Sequence, residues 1–542
     1  MSSEQDTSNK NGSNNLASSV NNQFKVLFVY SNSPMDNLMP VSVSSLAGAL
    51  RPHDFDISLF DTTYYPMHEL SSSGADRQGS LQVAEFSYKD VGIEFKTTNI
   101  FDDFRSKIEE FQPNLIALST VEPTHVLGIK LLESVYDLNI QTIVGGCFAI
   151  FSPQHVFNEE CVDIVCIGEG EECLVELCSK MANKEDYTGV KNLWIKHDGK
   201  EYKNEKNEVQ QMGNVPILDF AIYDPKRVYR PMDGRLWRMA PIEFSRGCMY
   251  KCTYCSAPRF ESEFKEQGDW LRHKSMDQIQ MEIEQYVEEY NIEYLFFISE
   301  TFLGIPDKRF REFCEMYKSI RLPFWFNTRP ETLKEKKIEM LEEIGCHRMS
   351  VGIECGNEWY RRHRLKRPVS DKHMIKGLQL VADSSIQLSV NSIIGLPGET
   401  REMIFETINI NRQIKAEGST CCVFQPYRGT DLYDYSVEQG YYDPNSIAKA
   451  VNSDSPLNQP HITVEEIRGL HRTFPLYVKL PESEFSAIRV AEKFDEEGNQ
   501  AFAELSRLYR KQYELRKEKP RHLDAARSDG EEPLVEPSAV KG

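Results

Sequence analysis

No stretch of this 542-residue chain approaches the roughly 18 consecutive apolar residues needed to cross a bilayer. A membrane span is therefore not expected. The opening residues, MSSEQDTSNKNGSNNLASSVNNQ, lack the apolar core of a secretory signal, and residues 1–23 read as a disordered lead-in. Positive charge is in the minority: 63 Lys and Arg stand against 83 Asp and Glu, a formal net charge of −20. That balance argues against a general nucleic-acid binder, because the phosphate backbone rewards a basic surface. A paired cysteine framework is also missing. The 13 cysteines are odd in number and scattered, and several (Cys147, Cys166, Cys346) sit inside apolar strand-like runs. Reduced thiols in a cytoplasmic compartment are the expectation.

What is present is a rhythm of short apolar runs. FKVLFVY (24–30), DISLFD (56–61), NLIALST (114–120), QTIVGG (141–146) and DIVCIG (163–168) read as strands. Helix-like stretches such as VSVSSLAGAL (41–50) and HVLGIKLLESVYDL (125–138) separate them. Buried strands alternating with helices predict a parallel α/β sheet over residues 24–182, with ligands at the carboxyl ends of its strands. The polar stretch 66–99 interrupts the rhythm and reads as an excursion. Residues 183–240 read as a connector with a small β-rich piece.

A second series starts at PIEFSRGC (241–248) and runs through IEYLFFISE (292–300), PFWFNTR (323–329), HRMSVGIE (347–354), QLSVNSIIGLPGE (387–399) and STCCVFQPYRGT (419–430). Repeated βα units over 241–460 predict a full or partial (β/α) barrel with its site at the C-terminal strand ends. Cys248, Glu300, Arg329 and Glu354 all fall at or just past such ends. Residues 461–514 form a mostly helical extension whose apolar RTFPLYVKLP segment is expected to pack on the barrel. Residues 515–542 are Lys/Arg/Glu/Pro-rich and expected to be disordered.

RGCMYKCTYCS (246–256) concentrates three cysteines, Cys248, Cys252 and Cys255. Soft thiolates select zinc, copper(I) or an iron–sulfur cluster. A closed zinc site or a fully protein-ligated cluster wants a fourth ligand. The nearest candidates are a lone His273 and, much later, Cys314. Three ligands make sense where one metal position stays open for substrate or cofactor.

The Cx3CxxC spacing, with Tyr254 before the last cysteine, resembles the radical S-adenosylmethionine (SAM) superfamily. The resemblance implies a [4Fe–4S] cluster on the three thiolates, whose fourth iron binds SAM. It also implies an external one-electron donor such as flavodoxin or ferredoxin, and cleavage of SAM to a 5′-deoxyadenosyl radical. MSVGIECG (349–356) resembles that family's fourth-strand segment, which puts Glu354 near SAM, with Cys355 in place of the usual serine. RLKRPVSD (364–371) makes Arg367 the expected partner of the SAM carboxylate. NSIIGLPGET (391–400) places Gly395 and Gly398 against the adenine, and SETF (299–302) assigns Glu300 to the SAM amino group. Arg329 completes the expected SAM-binding set. PYRGTDLY (426–433) resembles a closing structural segment.

The first domain resembles the Rossmann-like cobalamin-binding domain of one radical SAM subgroup, through PVSVSSLAGAL (40–50), IVGGCFAIFSPQHVF (143–157) and VDIVCIGEGEECLVEL (162–177). Its Gly145, Gly146, Gly168, Gly170 and His125, the last read as lying in the loop after the third strand, are the expected cobalamin neighbours. The Asp-x-His-x-x-Gly motif that supplies a cobalt ligand elsewhere is absent. Together these features imply a radical SAM methyltransferase with cobalamin as methyl carrier, acting on an unactivated carbon or phosphorus of a small molecule, with no catalytic side chain beyond the cofactors. The alternatives are a cobalamin-containing rearrangement or cyclisation enzyme, and a non-catalytic, metal-stabilised binding protein.

Overall fold

The computed structural model describes residues 23–66, 74–414 and 416–517. The lead-in up to residue 22 and the tail beyond 517 lie outside the described residues. Two sheets organise the rest. The first contains β1 (Lys25–Tyr30), β2 (Asp56–Asp61), β3 (Leu115–Ser119), β4 (Gln141–Gly145), β5 (Ile164–Cys166), β6 (Leu193–His197) and β7 (Lys200–Lys203), in the order β2-β1-β3-β4-β5-β6-β7. Strands β1 to β5 pair in parallel. Apart from that of the edge strand β2, which is mostly half-buried, their apolar runs are buried on both faces, as a helix-covered parallel sheet requires. The order reverses at β1, so the crevice between the ends of β1 and β3 is the ligand position such sheets favour.

The expected connector 183–240 is divided between the sheets. Its hairpin β6–β7 joins the first sheet antiparallel to β5. Its later part supplies β8 (Tyr229–Met232), which pairs antiparallel with β9 (Arg235–Glu243). A two-residue ribbon, β10 (Ser245–Arg246) and β11 (Arg272–His273), follows β9 and brackets the cysteine segment.

The second sheet continues with β12 (Tyr294–Ile298), β13 (Phe324–Thr328), β14 (Cys346–Glu354), β15 (Gln387–Ile394) and β16 (Gly418–Val423). Its order is β16-β15-β14-β13-β12-β9-β8, and the six strands from β9 to β16 run parallel. This is a partial (β/α) barrel. Alternate residues divide its faces: Phe324, Phe326, Met349, Val351, Leu388 and Val390 join the large core shared with the helices. The opposite face carries Asn327, Ser350, Asn391 and Thr420 and borders a cavity.

The excursion after residue 66 does not stand apart. Gln82 accepts from the backbone N–H of Cys421 at 3.0 Å and meets His471 at 3.1 Å. Helices Val464–Lys479, Phe485–Ala491 and Glu496–Lys517 form the C-terminal region, the last reaching past the expected end at 514. Phe474, Leu476, Tyr477 and Val478 of RTFPLYVKLP are buried against β16 and its helical neighbours, as the apolar pattern predicted.

Candidate active site

The cysteine segment leaves the ribbon at Gly247, whose φ of +97° and contact with the backbone of Trp270 suit only glycine. It places Cys248 beside Thr301 past the end of β12 and Cys252 beside Arg329 past the end of β13, with Tyr254 against Glu354 at the end of β14. Burial pushes the Cys248 thiol up, and that of Cys255 up to about 11. The Arg329 guanidinium, just past the end of β13, donates to Cys252 Sγ at 2.7 Å and stacks on Tyr250 at 3.8 Å. Glu331 holds Arg329 from the other side through Nε at 2.8 Å. Glu300, just past β12, accepts from the N–H of Gly247 at 3.2 Å. Its residue surface reaches solvent, but neighbouring protein desolvates the carboxyl and pushes it up to about 7.

Three expected residues form one buried cluster. Tyr254 donates from its hydroxyl to Glu354 Oε1 at 3.1 Å, and Arg367 Nη1 donates to both Tyr254 Oη (2.7 Å) and Glu354 Oε1 (3.1 Å). Arg367 Nη2 donates to the carbonyl of Gly352 at 2.6 Å. Both terminal nitrogens of Arg367 are thus engaged inside the protein, and only its Nε lacks a partner. The arginine anticipated from RLKRP as the partner of the SAM carboxylate is thus tied, without SAM, to Tyr254, Glu354 and Gly352. Glu354 sits at a β-bulge with φ +64°, a strained conformation for a non-glycine residue that these contacts hold in place. Gly395 requires its φ of +74°, and its missing Cβ would meet Ile467 of the C-terminal region. Gly398 faces open space, and its N–H donates to Gln459 at 2.7 Å.

A second cluster, not anticipated from sequence, ties the two sheets together at this point. Arg246, two residues before Cys248, donates to Glu169 (2.9 Å), Glu171 (2.7 Å) and Glu243 (2.8 Å). Arg272 donates to both oxygens of Glu169, at 2.7 and 3.0 Å. Glu169 and Glu171 belong to the GEGE segment after β5. Burial opposes the charge on Arg246, but the facing carboxylates hold its pKa well above the ordinary value. Burial likewise opposes ionisation of Glu171, and Arg246 overrides it, so that this carboxyl is held below its usual range. Two further contacts repeat the pattern. Glu122, after β3, accepts from the backbone N–H groups of Arg428 (3.0 Å) and Ala448 (3.1 Å), and Phe151, after β4, packs on Phe260 at 4.4 Å. The carboxyl ends of β3, β4 and β5 therefore all abut barrel loops.

Comparison with known proteins completes the picture. Residues 242–410 match the model of the radical SAM superfamily, and residues 78–178 match that of the B12 binding domain. The chain thus carries a radical SAM domain preceded by a B12-binding domain. An uncharacterised methyltransferase of Pyrococcus horikoshii is 24% identical over 379 residues, covering 69% of this chain and 80% of that protein. The anaerobic magnesium-protoporphyrin IX monomethyl ester cyclase of Rubrivivax gelatinosus is 24% identical over 353 residues, covering 61% of this chain and 60% of its own. The cobalamin-dependent SAM radical enzyme OxsB shares the fold with a TM-score of 0.60 at 16% identity, over 94% of this chain and 75% of its own. TsrM from Kitasatospora setae does so at 0.57 and 14% identity, over 80% of each chain.

A radical SAM domain implies a [4Fe–4S] cluster and SAM, and a B12-binding domain implies cobalamin. The residues fit the cluster. Cys248, Cys252 and Cys255 supply three soft thiolates from one short segment, which leaves one iron position open for SAM. On the cobalamin side, the enzyme encloses His125 in the first turn of the helix Glu122–Glu133 rather than in a loop. Both of its ring nitrogens lack partners, and burial drives its pKa down to about 4, so the ring is neutral. Three of the four first-domain glycines have packing reasons of their own. A Cβ on Gly146 (φ +107°) would strike the Thr120 carbonyl, one on Gly168 the Asn192 side chain, and one on Gly170 Leu46. Gly145 alone meets only ordinary contact. No helix among the described residues is long and apolar enough to cross a membrane.

Proposed function

We propose that this enzyme methylates an unactivated carbon, or phosphorus, of a small-molecule substrate, with cobalamin as the methyl carrier. The observation that carries the reading is the abutment of the β3, β4 and β5 ends on the barrel loops that flank Cys248–Cys255. It puts the ligand edge of the first sheet next to the cysteine segment, as a two-cofactor reaction demands. The naming of two relatives as methyltransferases, that of Pyrococcus horikoshii and the cytidylyl-2-hydroxyethylphosphonate methyltransferase of Streptomyces wedmorensis (21% identical, 80% of this chain and 85% of that one), supports it.

In this reading Cys248, Cys252 and Cys255 hold the cluster. When bound, the cluster and SAM supply a radical that removes hydrogen from the substrate, and cobalamin supplies the methyl group. The protein's own work is positioning. Arg329 holds positive charge against the cysteine segment and, with Glu300, faces the polar end of SAM. Arg367 orients Glu354 and Tyr254 instead of binding SAM through its fork, and Gly395 and Gly398 shape the turn beside the adenine.

The test is anaerobic turnover with methyl-labelled SAM and a small-molecule extract of the host cell. Label in a product, with 5′-deoxyadenosine formed alongside, is the expected outcome; 5′-deoxyadenosine with no labelled product would favour rearrangement or cyclisation. That second reading draws on the likeness to the Rubrivivax cyclase.

Glu300 gives a pH prediction. Its carboxyl titrates near 7 in the free protein because burial disfavours the charged form. An ionised carboxylate is the better partner for the SAM amino group, so binding below that pH must first expel a proton. SAM affinity should rise with pH, roughly tenfold per unit below 7, and level off above it. Equilibrium dialysis across pH 5.5–8.5 reads this (a window spanning about 7 on both sides). Glu300→Gln should flatten the profile, and an unchanged slope in that variant counts against the assignment.

A further inference from the structure

Beneath the Arg329–Glu354 level the barrel holds a cavity of about 610 Å³, within the range of small-molecule sites. Its floor is the polar face of the sheet: Asn327, Ser350, Asn391 and Thr420. Asn327 precedes Arg329 by two residues on the same face, about 7 Å of strand. From there the cavity extends to the N-terminal ends of the strands, at Trp325, Arg348 and Gly418. Its far wall comes from other parts of the chain, with Leu81, Val83 and Phe86 of the excursion opposite the sheet.

Charge is unevenly settled here. Four arginines line the space: Arg77, Arg230, Arg348 and Arg510. Arg348 meets Asp233 at 3.5 Å and donates to Ser389 at 2.6 Å, and Arg510 meets Glu85 at 3.0 Å. Arg77 and Arg230 have no carboxylate oxygen within 4.0 Å among the described residues. The two other acids of the lining, Asp36 and Glu417, are exposed to solvent. Arg230 is the more unusual of the pair. Its guanidinium lies 5.3 Å from the Phe296 ring and 5.2 Å from that of Trp325, which stack on each other at 3.9 Å. Its Nη1 reaches neither an acceptor nor solvent, and the indole Nε1 of Trp325 is in the same state. Burial holds the Arg230 pKa below the ordinary guanidinium value, with Asp36 too distant to restore it. The residue as a whole is half-buried, so only part of the guanidinium is desolvated; a partly desolvated cation without a counter-charge still favours a bound anion.

We propose that this cavity binds the substrate and that the substrate is an amphiphile: an anionic carboxylate or phosphate head held by Arg230 and Arg77, with an apolar body against Leu81, Val83 and Phe86. The proposal rests on the reading of the barrel as the reaction chamber. The two arginines without a carboxylate partner select the oxyanion, and the apolar wall favours a hydrocarbon body over a sugar.

Binding to the full-length, cluster-loaded protein tests it, with decanoate, decyl phosphate and decanol as probes in calorimetric titrations. Saturable binding of one or both anions, at least tenfold tighter than decanol, is expected, and the tighter of the two names the head group. Arg230→Gln and Arg77→Gln should each weaken the anion at least tenfold while iron and sulfide content stays unchanged. Arg77 lies on the excursion, so its variant keeps the test available should the Arg230 variant not fold. Equal binding of decanol, no saturable binding of any probe, or full anion affinity in both variants overturns the proposal. Because the readout is binding, it stands or falls separately from methyl transfer: a chain that binds the anion yet transfers no label refutes only the methylation reading.

Discussion

Cys252→Ala is expected to leave the protein unable to hold a [4Fe–4S] cluster and to abolish reductive SAM cleavage. The three cysteines are the full protein complement at the site, so loss of one leaves two iron positions without a thiolate. No neighbour can substitute. Cys314 and Cys346 are buried in the helix–sheet core, and Cys355 is fully enclosed below Glu399. Cys252 also carries the 2.7 Å contact from Arg329, so its removal leaves Arg329 Nη1 without that partner while Glu331 still holds the other side. Iron and acid-labile sulfide per chain after anaerobic reconstitution, together with 5′-deoxyadenosine formation under dithionite, measure the effect. A variant that retains a full complement of iron and sulfide would show that another ligand set is in use. Wild-type protein that takes up one zinc and no sulfide would defeat the enzyme reading altogether.

Arg246→Ala should destabilise the protein by about 3–5 kcal/mol, the cost of removing one partner from a buried ion-pair network. Three carboxylates, from Glu169, Glu171 and Glu243, then face one another without their shared cation, and only Arg272 remains to serve Glu169. Arg246→Lys should recover part of the loss, since a single ammonium cannot reproduce the three-way fork. The network spans both sheets and ends two residues before Cys248, so the damage should extend beyond stability to the cysteine segment. The first thermal transition is expected to fall, and cluster content after reconstitution with it. Unchanged melting and full cluster loading in the alanine variant would mean that the network is ornamental to both.

The two sheets were legible in the sequence because their strands are contiguous apolar runs bounded by turn residues. β2 and the helix Val41–Leu50 fall on the expected residues. The cysteines, Glu300, Glu354 and the glycine turn were legible because short local motifs carry them. Pairings between distant residues were not. The hairpin β6–β7 looked like a connector, since nothing local shows that its first strand lies antiparallel to β5. Arg246 and Glu171 are 75 residues apart and leave no periodic trace. Arg367 was recognisable as an important arginine, but not as one whose fork is taken up by Glu354, Tyr254 and Gly352. One signal was available and unread. Trp325, Asn327 and Arg329, then Arg348 and Ser350, repeat polar or amphipathic residues at period two on strands otherwise rich in apolar side chains. That alternation marks a lined cavity on one face of the sheet.

The GEGE segment precedes the cysteine segment in chain order by some 70 residues. During synthesis the ribosome therefore releases the first sheet, with Glu169 and Glu171 already presented at the end of β5, before Arg246 emerges. A cysteine segment that emerges after its carboxylate partners can dock on Glu169 and Glu171 as Arg246 leaves the ribosome. Reversing the order of the two domains in a fusion would remove those partners at the moment of need, leaving three reactive thiols to wait for their mould.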